Sequence, residues 1–177
     1  MHRLFVAIRP PAVIRQQLLD VMGGVSGARW QTDEQLHLTL RFIGEVNRHA
    51  AEDVVAALGA VHHPRFEIRV EGLGTFNRRG APEVIWAGVQ PHEPLHGLHK
   101  KVDQACARVG IAPDTRAFHP HITLARMKRG AGPVGHLVTG SGGFATPTFE
   151  VTHFGLFESQ LTPEGAVYTQ VERYALR

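Results

Sequence analysis

Between residues 36 and 42 the chain alternates. Leu36, Leu38, Leu40 and Phe42 are apolar, and His37, Thr39 and Arg41 are polar. A period of two predicts a strand with one face on a core. The apolar set then packs inward, while imidazole, hydroxyl and guanidinium share the other face, about 7 Å apart for every two residues. The same pattern returns, shorter, in the second half. There Ile122 and Leu124 point one way, and His119, His121 and Thr123 the other. Arg126 falls on the apolar parity, which places it past a bulge, at a strand end or on a rim.

The remaining pattern supplies a frame for these two strands. Residues 4–8 form a short apolar run, read as a buried strand. Pro10 and Pro11 open a helix, with Val13, Ile14, Leu18, Val21 and Met22 at helical spacing and Gly23-Gly24 as its stop. Residues 28–31 read as a small strand anchored by Trp30. The first alternating strand closes at Gly44, and Asn47 then caps a helix with Val54, Val55, Leu58 and Val61 inside, ended by His62-His63-Pro64. Phe66, Ile68 and Val70 alternate with charged residues. This strand runs towards Phe76, turns at residues 77–80 and returns over residues 84–89 as a central strand. The third helix carries Leu95, Leu98, Val102, Ala105, Cys106 and Val109, and Gly110 closes it. Residues 130–143 are a glycine-rich loop with a short helix at 133–138, and residues 149–158 and 166–176 are two strands joined by a turn. Hairpins mixed with helices on no regular beat predict an α+β fold, mostly antiparallel sheet with helices outside. Nothing in residues 1–177 reads as a linker, so a single domain of two lobes is expected.

Composition narrows the class. The chain has 177 residues, 43% of them hydrophobic, enough for a substantial core. A formal charge of +3 tolerates a phosphate-bearing partner without demanding one. The one cysteine, Cys106, cannot form an internal disulfide and lies on the apolar stripe of the third helix, so it reads as core rather than nucleophile. No apolar run is long enough to span a bilayer, and residues 1–5 lack the layout of a signal peptide. A soluble cytoplasmic monomer is expected. Most of the twelve histidines must be structural or solvated. His96 and His99 share a helix side, but no carboxylate or cysteine completes a metal set there. Arg78 and Arg79 at the hairpin tip read as a solvated turn, or else as a guide for an RNA backbone.

A single His-x-Thr carries little information. Two, matched at both polar positions and one in each half, point to a shared site: His37 with Thr39, and His121 with Thr123. A phosphodiester needs one group to take a proton from the attacking oxygen and one to give a proton to the departing oxygen. These oxygens lie on opposite sides of phosphorus. Histidines on two facing lobes meet that demand, and an ordinary pKa near 6.5 suits both tasks. The threonine hydroxyls can donate to the non-bridging oxygens, and Arg41 can add charge at the mouth. With no carboxylate pair and no metal cage, the reading calls for no metal and no other cofactor. A strained cyclic phosphate is the natural substrate.

At these residues the chain resembles the two-histidine phosphoesterase superfamily. Within it, the resemblance is to the bacterial and archaeal RNA 2′,3′-cyclic phosphodiesterases, historically called 2′-5′ RNA ligases. The likeness runs nearly end to end, through residues 3–8, 30–44, 74–76, 86–89, 118–126 and 158–161, with Gly165 and Tyr168. It implies a bilobal, LigT-like α+β fold, two mostly antiparallel sheets with outer helices around a central groove. It implies metal-independent hydrolysis of 2′,3′-cyclic phosphates on RNA ends or nucleotides to 2′-phosphates, with 2′-5′ ligation as a minor reverse activity. In that scheme His37 protonates the departing 3′ oxygen and His121 activates water, an assignment the residues alone leave open. Thr39 and Thr123 bind the phosphate, helped by Arg126 and Arg41. His119 is a neighbour able to tune His121. The alternatives are a phosphodiesterase acting on 2′-5′ oligonucleotides or ADP-ribose cyclic phosphate, a non-catalytic RNA-end binder, and a metal hydrolase.

Overall fold

A computed structural model describes residues 1–140 and 143–177. In chain order it runs β1 (His2–Ile8), α1 (Ala12–Asp20), β2 (Ala28–Trp30), a 3-10 turn (Asp33–Gln35), β3 (Leu38–Val46), α2 (Arg48–Leu58), β4 (Phe66–Arg78), β5 (Ala81–Gln90), α3 (Glu93–Arg108), β6 (His121–Met127), α4 (Gly135–Gly140), β7 (Phe149–Val151), β8 (His153–Thr162) and β9 (Gly165–Ala175). The elements follow the expected pattern closely. Asn47 caps α2 by accepting from the Ala50 amide at 2.9 Å. The apolar stripe of α3 is fully inside, with Leu95, Leu98, Val102, Ala105 and Cys106 all buried.

The fold is α+β, and the strand pairings among the described residues are antiparallel. The strands run in the order β7-β4-β5-β6-β3-β1-β8-β9, with β2 paired to β6. The two expected sheets are therefore two wings of one sheet. They meet where Leu38 of β3 pairs with Ile122 of β6, in the middle of the two tetrapeptides. Leu38 and Ile122 are both buried, in one hydrophobic cluster that runs beneath both wings. Each fully buried leucine or isoleucine there is worth roughly 1.5–3 kcal/mol relative to exposure.

β3 and β6 break their alternation at the same place. In β3, β1 pairs Val6 with Arg41 and Ala7 with Thr39, skipping Leu40. In β6, β5 pairs Ile85 with Ala125 and Trp86 with Thr123, skipping Leu124. One extra residue reverses which face the following side chains occupy. Leu40 and Arg41 are thus both buried and Phe42 is exposed, just as Leu124 and Ala125 are buried and Arg126 is exposed.

The bulge corrects the expectation for Arg41. It does not share the face of His37 and Thr39; it is turned inward and only 5% exposed. Its Nε donates to Asp103 of α3 at 2.7 Å, and its terminal nitrogens donate to the carbonyls of Phe42 and Ala112. Four residues earlier on α3, His99 Nδ1 donates to the Leu40 carbonyl at 2.7 Å. One face of α3 therefore satisfies the backbone that the bulge would otherwise leave unpaired.

Candidate active site

Each tetrapeptide histidine is held by the carbonyl two residues before it. His37 Nδ1 bonds the Gln35 carbonyl at 2.6 Å, and His121 Nδ1 bonds the His119 carbonyl at 2.7 Å. A carbonyl only accepts, so both Nδ1 atoms carry hydrogen and both Nε2 atoms are left for chemistry. The Gln35 carbonyl is placed by the 3-10 turn, which begins with a capping box between Thr32 and Gln35.

The seam between β3 and β6 brings the two motifs together. With Leu38 opposite Ile122, antiparallel register sets position 37 against 123 and position 39 against 121. Each histidine thus neighbours the other motif's threonine, and the histidines lie diagonally, roughly 7–8 Å apart at Cα in an ideal ladder. His37, Thr39, His121, Thr123 and Arg126 all line one groove of about 610 Å³, and Arg41 does not.

Aromatic rings wall each imidazole. Phe5 lies 4.9 Å from His37, and Tyr168 meets it edge-on at 5.2 Å. Phe76 meets His121 edge-on at 4.9 Å, with Trp86 at 6.5 Å and His119 at 5.9 Å. This burial disfavours the charged imidazolium. It pulls His37 down to about 4, against the opposing pull of the Gln35 carbonyl and with further lowering from the charges of His121, Arg126 and Arg9. His121 is lowered in the same way, first by burial, with its carbonyl opposing and with His119 and Arg126 adding to the shift.

The sequence placed Phe42 in the core, whereas it lines the groove and is 50% exposed. One signal for this was present. Arg126 stands on the wrong parity five residues after His121, and Phe42 stands five after His37, so one bulge at matched offsets explains both. Arg3 and Arg116 also line the groove, and no local pattern marked them. No cluster of three or more histidine, cysteine or acidic side chains among the described residues is arranged to hold a metal. His99 stacks on Phe118 at 4.1 Å and serves the bulge.

Two clefted His-x-Thr strands in this arrangement have clear relatives. The family model described as LigT like Phosphoesterase matches residues 8–86 and 88–168, with one tetrapeptide in each segment. The chain belongs to this family of two-histidine phosphoesterases. Relatives that match nearly all of it carry a more particular name. The RNA 2′,3′-cyclic phosphodiesterase of Archaeoglobus fulgidus is 34% identical over 169 residues, 94% of this chain and 96% of that protein. The protein of the same name from Escherichia coli is 32% identical over 179 residues, 99% of this chain and 97% of that one. Among solved structures, TT0787 of Thermus thermophilus superposes with a TM-score of 0.83 at 29% identity, over 99% of this chain and 98% of that one. Escherichia coli LigT complexed with 3′-AMP gives 0.79 at 29% identity, with the same coverage.

Proposed function

We propose that this protein hydrolyses 2′,3′-cyclic phosphates on RNA ends or nucleotides to 2′-phosphates, using His37 and His121 as its acid and base. The observation that carries this reading is that both imidazoles, fixed in the same tautomer, enter one groove from opposite sides of the Leu38–Ile122 seam. The relatives' name supports the same substrate class. Nucleotide binding by Escherichia coli LigT, seen with 3′-AMP, ATP and NADP+, supports a nucleotide in this groove.

In the proposed step, water attacks phosphorus as His121 Nε2 takes its proton. The bond from phosphorus to the 3′ oxygen breaks, and His37 Nε2–H delivers a proton to that oxygen. The products are a 2′-phosphate and a free 3′ hydroxyl. Thr39 and Thr123 donate to the non-bridging oxygens, and Arg126 supplies fixed positive charge. His37 is held near 4 in the free groove, so its Nε2 is protonated at neutral pH only when a phosphate anion raises its pKa. Substrate thus charges its own acid. The scheme routes no step through a metal.

No helix among the described residues is long and apolar enough to cross a membrane. A cytoplasmic monomer is part of the proposal; the free thiol of Cys106 supports the reducing compartment.

The test is turnover of adenosine 2′,3′-cyclic phosphate with and without chelator, with the product isomer identified. Adenosine 2′-phosphate formed equally in both is expected. The 3′ isomer, or activity abolished by chelator and restored by one metal, would overturn the proposal.

A further inference from the structure

The two histidines match in tautomer and in the carbonyl that holds it, yet their walls differ by one oxygen atom. Each imidazole is met edge-on, at 86°, by an aromatic ring: Phe76 lies 4.9 Å from His121, and Tyr168 lies 5.2 Å from His37. Phenylalanine offers only its ring. Tyrosine adds a hydroxyl, and Tyr168 lines the groove.

The fold does not use that hydroxyl. Of the two tyrosines in the chain, Tyr174 donates to the Val55 carbonyl at 2.9 Å, as a half-buried phenol usually does. Tyr168 meets no hydrogen-bond partner among the described residues. Its ring is nonetheless fixed. Phe5 meets it edge-on at 5.0 Å, and it packs on the small cluster of Phe5, Ala7 and Phe157. Burial raises the phenol above its ordinary value, against the pull of Arg126 and Arg3, so it stays an O–H donor at neutral pH. A donor held in place beside two cations suits an oxygen that carries negative charge.

The proposed reaction leaves one such oxygen without a second donor. Thr39 and Thr123 serve the two non-bridging oxygens, and His121 serves the attacking water. The oxygen that gains charge on the side of His37 is the one that departs. We infer that Tyr168 is a further catalytic residue, donating a hydrogen bond to the departing 3′ oxygen while His37 protonates it. This rests on the hydrolase reading above, with His37 on the leaving side. The electrons of the broken bond pass to the 3′ oxygen, the proton comes from His37 Nε2, and Tyr168 keeps its own. The attacking water supplies electrons instead of gaining charge, so a ring without a hydroxyl is enough beside His121.

Tyr168→Phe keeps the ring contacts and removes one oxygen. Its kcat on adenosine 2′,3′-cyclic phosphate is expected to fall roughly 10–100-fold, with KM little changed. The same variant is then given the cyclic phosphorothiolate with sulphur in place of the 3′ oxygen. A thiol ionises far more readily than an alcohol, so sulphur departs without a donor, and the loss is expected to disappear. An equal loss on both substrates puts the hydroxyl on some other oxygen and overturns the inference. An undiminished kcat on the ordinary substrate also overturns it. In both cases native turnover leaves the hydrolase reading standing. A native protein inert towards both substrates overturns the hydrolase reading, and the role of Tyr168 falls with it.

Discussion

Leu38 and Ile122 face each other across the seam between β3 and β6, each the central apolar residue of a His-x-Thr-x tetrapeptide. Neither touches the groove, since both are fully buried. Their pairing nonetheless sets the register in which each histidine neighbours the other motif's threonine. Shifting it by one residue would turn a histidine into the core.

His37→Ala and His121→Ala should each abolish most turnover of 2′,3′-cyclic nucleotides. A positioned proton-transfer group contributes roughly 10²–10⁴-fold, and each variant should lose a factor in that range. Steady-state kinetics, with circular dichroism to confirm the fold, checks this. Undiminished turnover in either variant would remove that histidine from the mechanism.

Thr39→Val and Thr123→Val keep the side-chain shape and delete one donor each. If both hydroxyls hold the non-bridging oxygens, each variant should lose kcat by a similar factor, approaching 10². Markedly unequal losses would show that the phosphate sits off the seam.

Stability should fall in mild acid because of His37. Its proton binds near pH 4 in the folded chain, because of burial, and near 6.5 when the ring is free. Between these values the unfolded chain holds more protons, so stability rises with pH, and it is lost as pH drops from about 6.5 towards about 4. His37→Asn should show a smaller difference between urea midpoints at the two ends of that window. An identical pH dependence would mean the ring is not desolvated in solution.

Arg41→Ala leaves Asp103 and two carbonyls without their donor. Asp103 is partly exposed, so water can reach it, and the loss is that of a charge-assisted hydrogen bond, about 2 kcal/mol, which for a chain of this size lowers Tm by roughly 6 °C. Thermal unfolding measures this directly. A shift within experimental error would show that α3 does not hold the bulge.

Cys106 is fully buried, and burial pushes its thiol up to about 11. The native protein should therefore leave an aromatic disulfide reagent unreacted at pH 8 and release one equivalent of colour only on unfolding. Prompt reaction in the native state would contradict the packing of α3.

Much of this was legible in the chain because it is local. Alternation located β3 and β6, the stripe of α3 showed its buried face, and paired His-x-Thr motifs predicted a common groove. The faces of Arg41 and Phe42 went unread, although the odd parity of Arg126 at the matched offset hinted at a bulge. A bulge is decided by a partner, here the side chains of His99 and Asp103 on an element far along the sequence. Periodicity carried past Thr39 put guanidinium in the groove and the benzene ring in the core, and the inserted residue exchanged them. Joining of the two sheets was hidden for the same reason, since one pair of residues remote in sequence makes the seam.

The carbonyl clamps on the two Nδ1 atoms bear on how turnover repeats. After one round of the proposed step, His37 has given up a proton and His121 has gained one. Both rings are pinned in the same tautomer, so recovery needs neither imidazole to flip. A proton leaving His121 Nε2 for solvent, and another reaching His37 Nε2 as the next phosphate binds, resets the pair.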